Sequence, residues 1–117
     1  MSIKLRERLD EFQVFMNADA CMIISDATRN IEQMQDALQH FLNSIKYSSY
    51  IVSVLDFYVD EDEWNPYGQR VELRELQSSI LALLLLIKGM EDGRIKRVRE
   101  AMLNLSASIN TALAEDE

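Results

Sequence analysis

Twelve positions of this 117-residue chain step alternately by four and three: Ala20, Ile24, Ala27, Ile31, Met34, Leu38, Phe41, Ile45, Ser48, Val52, Leu55 and Val59. Only Ser48 among them is polar, and residues 1–65 contain neither Gly nor Pro. Such steps average 3.5 residues, the spacing that keeps one seam of an α-helix turned toward a neighbouring helix. The spacing predicts a long helix over 20–58, packed in the manner of a coiled coil.

The same three-and-four steps recur at Leu73, Leu76, Ile80, Leu83, Ile87 and Met90, and again at Ile95, Val98, Met102, Leu105, Ile109 and Ala112. These predict helices over 68–90 and 94–114, separated by Gly89 and the pair Asp92-Gly93. The main turn falls at Asp60-Glu61-Asp62-Glu63-Trp64-Asn65-Pro66-Tyr67-Gly68, where Asn65 can cap a helix that Pro66 begins. An N-terminal stripe, Leu5, Leu9, Phe12 and Met16, predicts a helix over 2–17. Joining it to Ala20 requires a phase slip, either a stutter or a turn at 17–20 capped by Asp19. The serines of Tyr47-Ser48-Ser49-Tyr50 mark a second place where a helix could bend.

The fold class is therefore all-α, in a single helical domain over 1–117. Two architectures fit: a compact helical bundle, or an elongated helical hairpin that turns at 60–67. A helix over 20–58 would be about 60 Å long, roughly twice either C-terminal helix, and its seam would outrun their cover. Oligomerisation or a partner chain is then expected to cover the remainder. The run Ile80-Leu81-Ala82-Leu83-Leu84-Leu85-Leu86-Ile87 is apolar around the whole helix, which predicts burial on every side. At eight residues, about 12 Å of helix, it is too short to cross a bilayer.

Charge narrows the partners. Twenty Asp and Glu oppose twelve Lys and Arg, giving a formal net charge of −8, which argues against nucleic acid or an anionic membrane as the main partner. Asp10 to Glu63 holds eleven acidic residues and only Arg29 and Lys46 as basic ones, whereas Arg94, Lys96, Arg97 and Arg99 form a basic cluster. The segment Ser2–Arg8 has no apolar run of a secretory signal. With Cys21 the only cysteine, cytoplasmic residence is expected, leaderless export being the alternative route.

No residue set supports catalysis. His40, the only histidine, follows Asp36 by four residues on one helical face, but a helical di-iron site needs two histidines and no zinc set can be assembled. Cys21, nineteen residues from His40, reads as a small buried hydrophobe rather than a nucleophile. An EF-hand loop counted from Asp60 would need Gly and Glu where the chain has Asn65 and Val71. Neither cofactor, metal nor small-molecule substrate is expected.

What the sequence does offer is surface for a protein partner or a homodimer. The candidate interface comprises Val54, Tyr58, Trp64, Tyr67, Leu81, Leu84 and Leu85, on which a partner helix would pack as in helix-in-groove recognition. Trp64 and Tyr67 could equally fold back to plug the end of the helical hairpin. The expected function is a non-catalytic helical interaction protein of bacterial or phage type: a chaperone, adaptor or small assembly subunit. The alternative is an acidic inhibitor, an immunity or anti-defence protein whose Asp60, Glu61, Asp62 and Glu63 mask a basic nucleic-acid-binding surface.

Overall fold

The computed structural model describes residues 5–114, and among them finds five α-helices and no strand. They are α1 (Leu5–Phe15), α2 (Ala18–Asp26), α3 (Ile31–Leu55), α4 (Arg70–Ile87) and α5 (Gly93–Ala114). Two 3-10 turns, Glu61–Glu63 and Pro66–Gln69, occupy the loop before α4. The helices form a bundle with extents of 44 × 26 × 23 Å, too short for a hairpin built on a 60 Å helix.

The long helix over 20–58 does not form. The chain leaves the helix after Asp26 and re-enters it at Ile31, without a glycine or proline to force the break. Local hydrogen bonds do it instead. Thr28 Oγ1 donates to the Ser25 carbonyl at 2.6 Å, Asn30 Oδ1 accepts from Gln33 N at 2.9 Å, and Gln33 Oε1 accepts from Arg29 N at 2.8 Å. The Asn30 cap satisfies one N–H group that a helix start leaves without an intrahelical partner, and the Gln33 side chain holds the residue before the cap. The phase slip near residue 17 is also a turn, but its cap is Asn17, not Asp19. Asn17 Oδ1 accepts from Ala20 N at 3.1 Å. Residues 5–58 thus form three helices.

The break brings α3 to 25 residues, about 38 Å, beside about 27 Å for α4 and about 33 Å for α5. Lengths of this order pack side by side. Helices α1, α3, α4 and α5 stand at four corners: α1 neighbours α3 and α5, and α4 neighbours the same two. Helix α2 touches α3, α4 and α5. The core runs through all five, from Leu9, Phe12 and Ile24 to Ile51, Leu76, Ile80, Leu83, Ile87, Met102 and Leu105.

The buried face of α3 is Ala37, Phe41, Ser44, Ser48, Ile51 and Leu55, one step aside from the anticipated seam. Phe41, Ser48 and Leu55 belong to both. Leu38, Ile45 and Val52 form a half-buried shoulder, while Ile31, at the start of α3, and Val59, the last position of the expected stripe, are exposed. Ser44 and Ser48 are completely buried, their hydroxyls donating to the carbonyls of His40 at 2.8 Å and Ile45 at 3.1 Å. Helix continues through Tyr47–Tyr50. Small side chains on this face allow a close approach of the helix axes, and α4 is the helix on which α3 packs most extensively.

Polar contacts tie the corners together. Arg6 of α1 pairs with Asp56 just past α3 and with Asp10, and these two hydrogen bonds hold its guanidinium further toward the charged form. Gln13 Nε2 donates to Ser49 Oγ at 3.1 Å, Asn104 Nδ2 to Glu11 Oε1 at 3.3 Å, and Gln77 Nε2 to Asn110 Oδ1 at 2.7 Å. Between α4 and α5, Gly89 adopts φ +86°, a left-handed conformation that side chains other than glycine's rarely tolerate. The backbone N–H of Arg94 donates to Asp92 Oδ1 at 2.8 Å. The Arg94 side-chain hydrogen bond, and then this backbone one, hold the Asp92 carboxyl below its ordinary value, so its contribution is present above that value and fades as pH falls through the lowered one.

An uninterrupted apolar seam would be strengthened by Ser48→Leu, whereas the fully buried, closely packed site makes the opposite prediction. Equilibrium urea unfolding is expected to show a loss of about 1–3 kcal/mol from overpacking. Asn30→Ala, which removes the cap at the break, should cost about 1 kcal/mol in the same measurement.

Candidate interaction surface

The apolar run on α4 is not buried on every side. Ile80, Leu83 and Ile87 point into the core and are fully buried, but Leu81 is 47 % exposed and Leu85 73 %. A helix at one corner of a four-cornered bundle has flanks that face no neighbour, and a run apolar all round must present some side chains there. On α5, Leu103 is 52 % exposed. Leu81, Leu84 and Leu85 meet Leu103 across an open groove between α4 and α5 with about 490 Å³ of space.

Cations rim this groove. Lys88, Gly89 and Arg99 complete its lining. Arg99 has a second role, since one of its terminal nitrogens donates to the carbonyls of Ile87 at 2.9 Å and Met90 at 2.7 Å. The Ile87 carbonyl ends α4 and the Met90 carbonyl lies three residues past it in the turn to α5, at the helix end where the dipole favours positive charge. One side chain of α5 thereby closes the end of α4 and fixes the rim of the groove. Across α4 lies a more polar cleft, lined by Arg29, Gln33, Asp36, His40, Ala82, Leu86 and the same Leu85 and Lys88. Leu85 is the ridge between the two. His40 Nδ1 is buried beside this cleft without a hydrogen-bond partner. Cys21 stands half-buried on α2, so it and His40 belong to different helices rather than to one.

The remaining candidate residues do not join this surface. Trp64 is 6 % exposed, packs within the core and donates from Nε1 to Gln69 Oε1 at 2.6 Å, so it plugs the fold and offers no face to a partner. An aromatic with a single donor buries well once that donor is satisfied. Tyr67 is exposed, its ring stacked under the Arg70 guanidinium at 4.1 Å. Val54 is half-buried against the core, and Tyr58 lines a separate pocket with Arg6, Glu7, Asp10 and Leu55. Val54 and Tyr58 therefore do not share a groove with Leu81, Leu84 and Leu85.

The acidic loop is partly committed to the fold. Glu61 accepts from the backbone N–H groups of Leu5 at 2.8 Å and Arg6 at 2.6 Å, capping α1 across 56 residues of chain. Asp60 Oδ1 accepts from Asp62 N at 3.0 Å and starts the first 3-10 turn. Asp62 and Glu63 lie on the surface. The four carboxylates are therefore not one uniform contact patch.

Sequence reasoning left out two participants, Leu103 and Arg99. Leu103 stands one position from Met102, which fits the buried stripe of α5, and nothing in its own spacing distinguishes it. Arg99 belonged to a recognised basic cluster, but its acceptors are backbone carbonyls, which carry no residue signature. Among the described residues no group of three or more His, Cys, Asp or Glu is arranged to hold a metal ion, and no helix is long and apolar enough to cross a membrane. No protein-family model matches the chain, and no curated protein or solved structure is detectably similar to it.

Three substitutions separate the structural aromatic and acid from the surface aromatic. Trp64→Ala should lower stability by about 3–5 kcal/mol, and Glu61→Ala by about 1–2 kcal/mol through loss of the α1 cap. Tyr67→Ala should leave the thermal midpoint nearly unchanged. Thermal and urea melts followed by far-UV circular dichroism check all three.

Proposed function

We propose that this protein is a non-catalytic helical interaction module, a chaperone, adaptor or small assembly subunit, whose α4–α5 groove receives an apolar segment of a protein partner. The observation that carries this reading is the exposure of Leu81, Leu85 and Leu103 around one groove. Covering a large aliphatic side chain is worth about 1.5–3 kcal/mol, so leaving three of them in water forgoes several kcal/mol that an occupant would recover. A clustered apolar patch rimmed by charge is the usual mark of a binding face, unlike single surface leucines. Lys88 and Arg99 at the rim favour an occupant that carries acidic flanks. Cytoplasmic residence in a bacterial or phage setting belongs to the same proposal.

The rival reading, an acidic inhibitor of a basic nucleic-acid-binding protein, draws on the carboxylates between Asp10 and Glu63. It loses one of its four loop residues to the fold, since Glu61 is engaged on α1. The two readings predict different losses. Affinity capture from the source cell, followed by intact mass measurement of the complex, should lose its partner with Leu81→Asp/Leu85→Asp, while the helical content and melting temperature stay close to those of the parent. Charge reversal at Asp60, Asp62 and Glu63, with Glu61 kept, should leave that capture intact. The opposite pattern would favour the inhibitor.

A further inference from the structure

We propose that the α4–α5 groove is filled by the Phe57-Tyr58-Val59 corner of a second copy of this chain, so that the protein associates with itself head to tail. This inference rests on the groove being an interaction site and names its occupant. The corner follows directly on α3. Phe57 is 87 % exposed, Val59 is fully exposed and Tyr58 is partly so. Phenylalanine held almost wholly in water contributes nothing to the fold and is held there at a cost.

The corner is also firmly presented. Backbone N–H groups of Phe57 and Tyr58 donate to the carbonyls of Val54 at 3.1 Å and Leu55 at 3.0 Å, so the last turn of α3 tightens rather than frays. Asp56 before it is pinned by Arg6, and Glu61 after it by the start of α1. The backbone is thus fastened on both sides, while the apolar side chains at its tip face solvent. Fastening of this kind lowers the ordering cost of inserting the tip into a partner.

Charge matches the corner to the groove. In sequence the apolar tip is flanked by Asp56, which also pairs with Arg6, by Glu61, which also caps α1, and by Asp60, Asp62 and Glu63, whereas Lys88 and Arg99 rim the apolar groove. The division extends to the whole molecule. Residues 5–65 carry twelve acidic and four basic side chains, and residues 66–114 carry five acidic and seven basic ones. A chain does not fill its own groove: Tyr58 and Val59 line a separate pocket with Arg6, Glu7 and Asp10 that shares no residue with the groove around Leu85. The pairing must therefore be between copies. A symmetric pairing of two α4–α5 faces would leave the exposed Phe57 and Val59 of both copies uncovered.

An interface of one corner and one groove is small, so association should be weak, in the micromolar range, and should weaken as salt rises. Because corner and groove are different surfaces of the same molecule, each copy keeps one of each unused until a ring closes or a chain extends. That asymmetry provides the test. In sedimentation equilibrium from about 1 to about 500 μM, the mass-average should rise with concentration for the parent protein. Phe57→Glu alone and Leu85→Glu alone should each sediment as monomers with parental circular dichroism.

An equimolar mixture of the two variants should form a dimer and stop there, since Phe57→Glu retains a working groove and Leu85→Glu a working corner. A parent that stays monomeric throughout overturns the inference, as does a mixture that stays monomeric or a Phe57→Glu variant that associates like the parent. If Phe57→Glu associates normally while Leu85→Glu loses both self-association and the captured partner, the groove is an interaction site with a different occupant. The proposed function then stands without this inference.

Discussion

The proportions of the bundle depend on hydrogen bonds at Arg29, Asn30 and Gln33, which interrupt a run that is otherwise suited to one helix. The Asn30 side chain accepts from the Gln33 backbone N–H and the Gln33 side chain from that of Arg29, and the chain turns where hydrophobic periodicity alone would carry it straight on. The turn shortens α3 to a length comparable with α4 and α5 and allows α2 to fold against three other helices. Without it, about half of the seam would extend past either C-terminal helix. Local capping and global compactness therefore agree at this point, as a single stable fold requires.

The same four-cornered packing accounts for what is left outside. Each corner helix buries the face it turns to its two neighbours, and α4 carries more apolar surface than two neighbours can cover. Ile80, Leu83 and Ile87 are accommodated inside while Leu81 and Leu85 are displaced to solvent. The exposed ridge is thus a geometric remainder, and the groove beside it exists because α5 supplies Leu103 at the matching height. At the other end of the molecule the acidic corner around Phe57 is a remainder of a different kind, left where α3 stops short of the expected Val59.

Much of this was legible from residue order. The helical class, α4 and α5, the stripe Leu5–Leu9–Phe12 and the turn around Pro66 all follow from apolar spacing and turn chemistry. The break before α3 was not read, although Asn30 followed three residues later by Gln33 is a helix-start pattern. Its signal was masked because Ala27, Ile31 and Met34 keep the apolar spacing across the turn. The exact face of α3 differs for a related reason: Ser44 is buried with its hydroxyl returned to its own helix, and spacing rules treat serine as polar. Of the anticipated interface, Leu81 and Leu85 emerged at the surface with Leu84 half-buried beside them, but Trp64 went inside, because the fate of a loop aromatic depends on whether a donor partner such as Gln69 lies within reach. Leu103 and Arg99 could be found only once two helices were set side by side.

Arg99 gives the groove a property that its shape alone does not reveal. By clasping the last carbonyl of α4 and that of Met90 in the turn beyond it, a side chain rooted in α5 locks the spacing of the walls around Leu84 and Leu103. A receptor held open in this manner is ready-made: a guest needs to surrender only its own freedom on arrival, and the host contributes little entropic resistance.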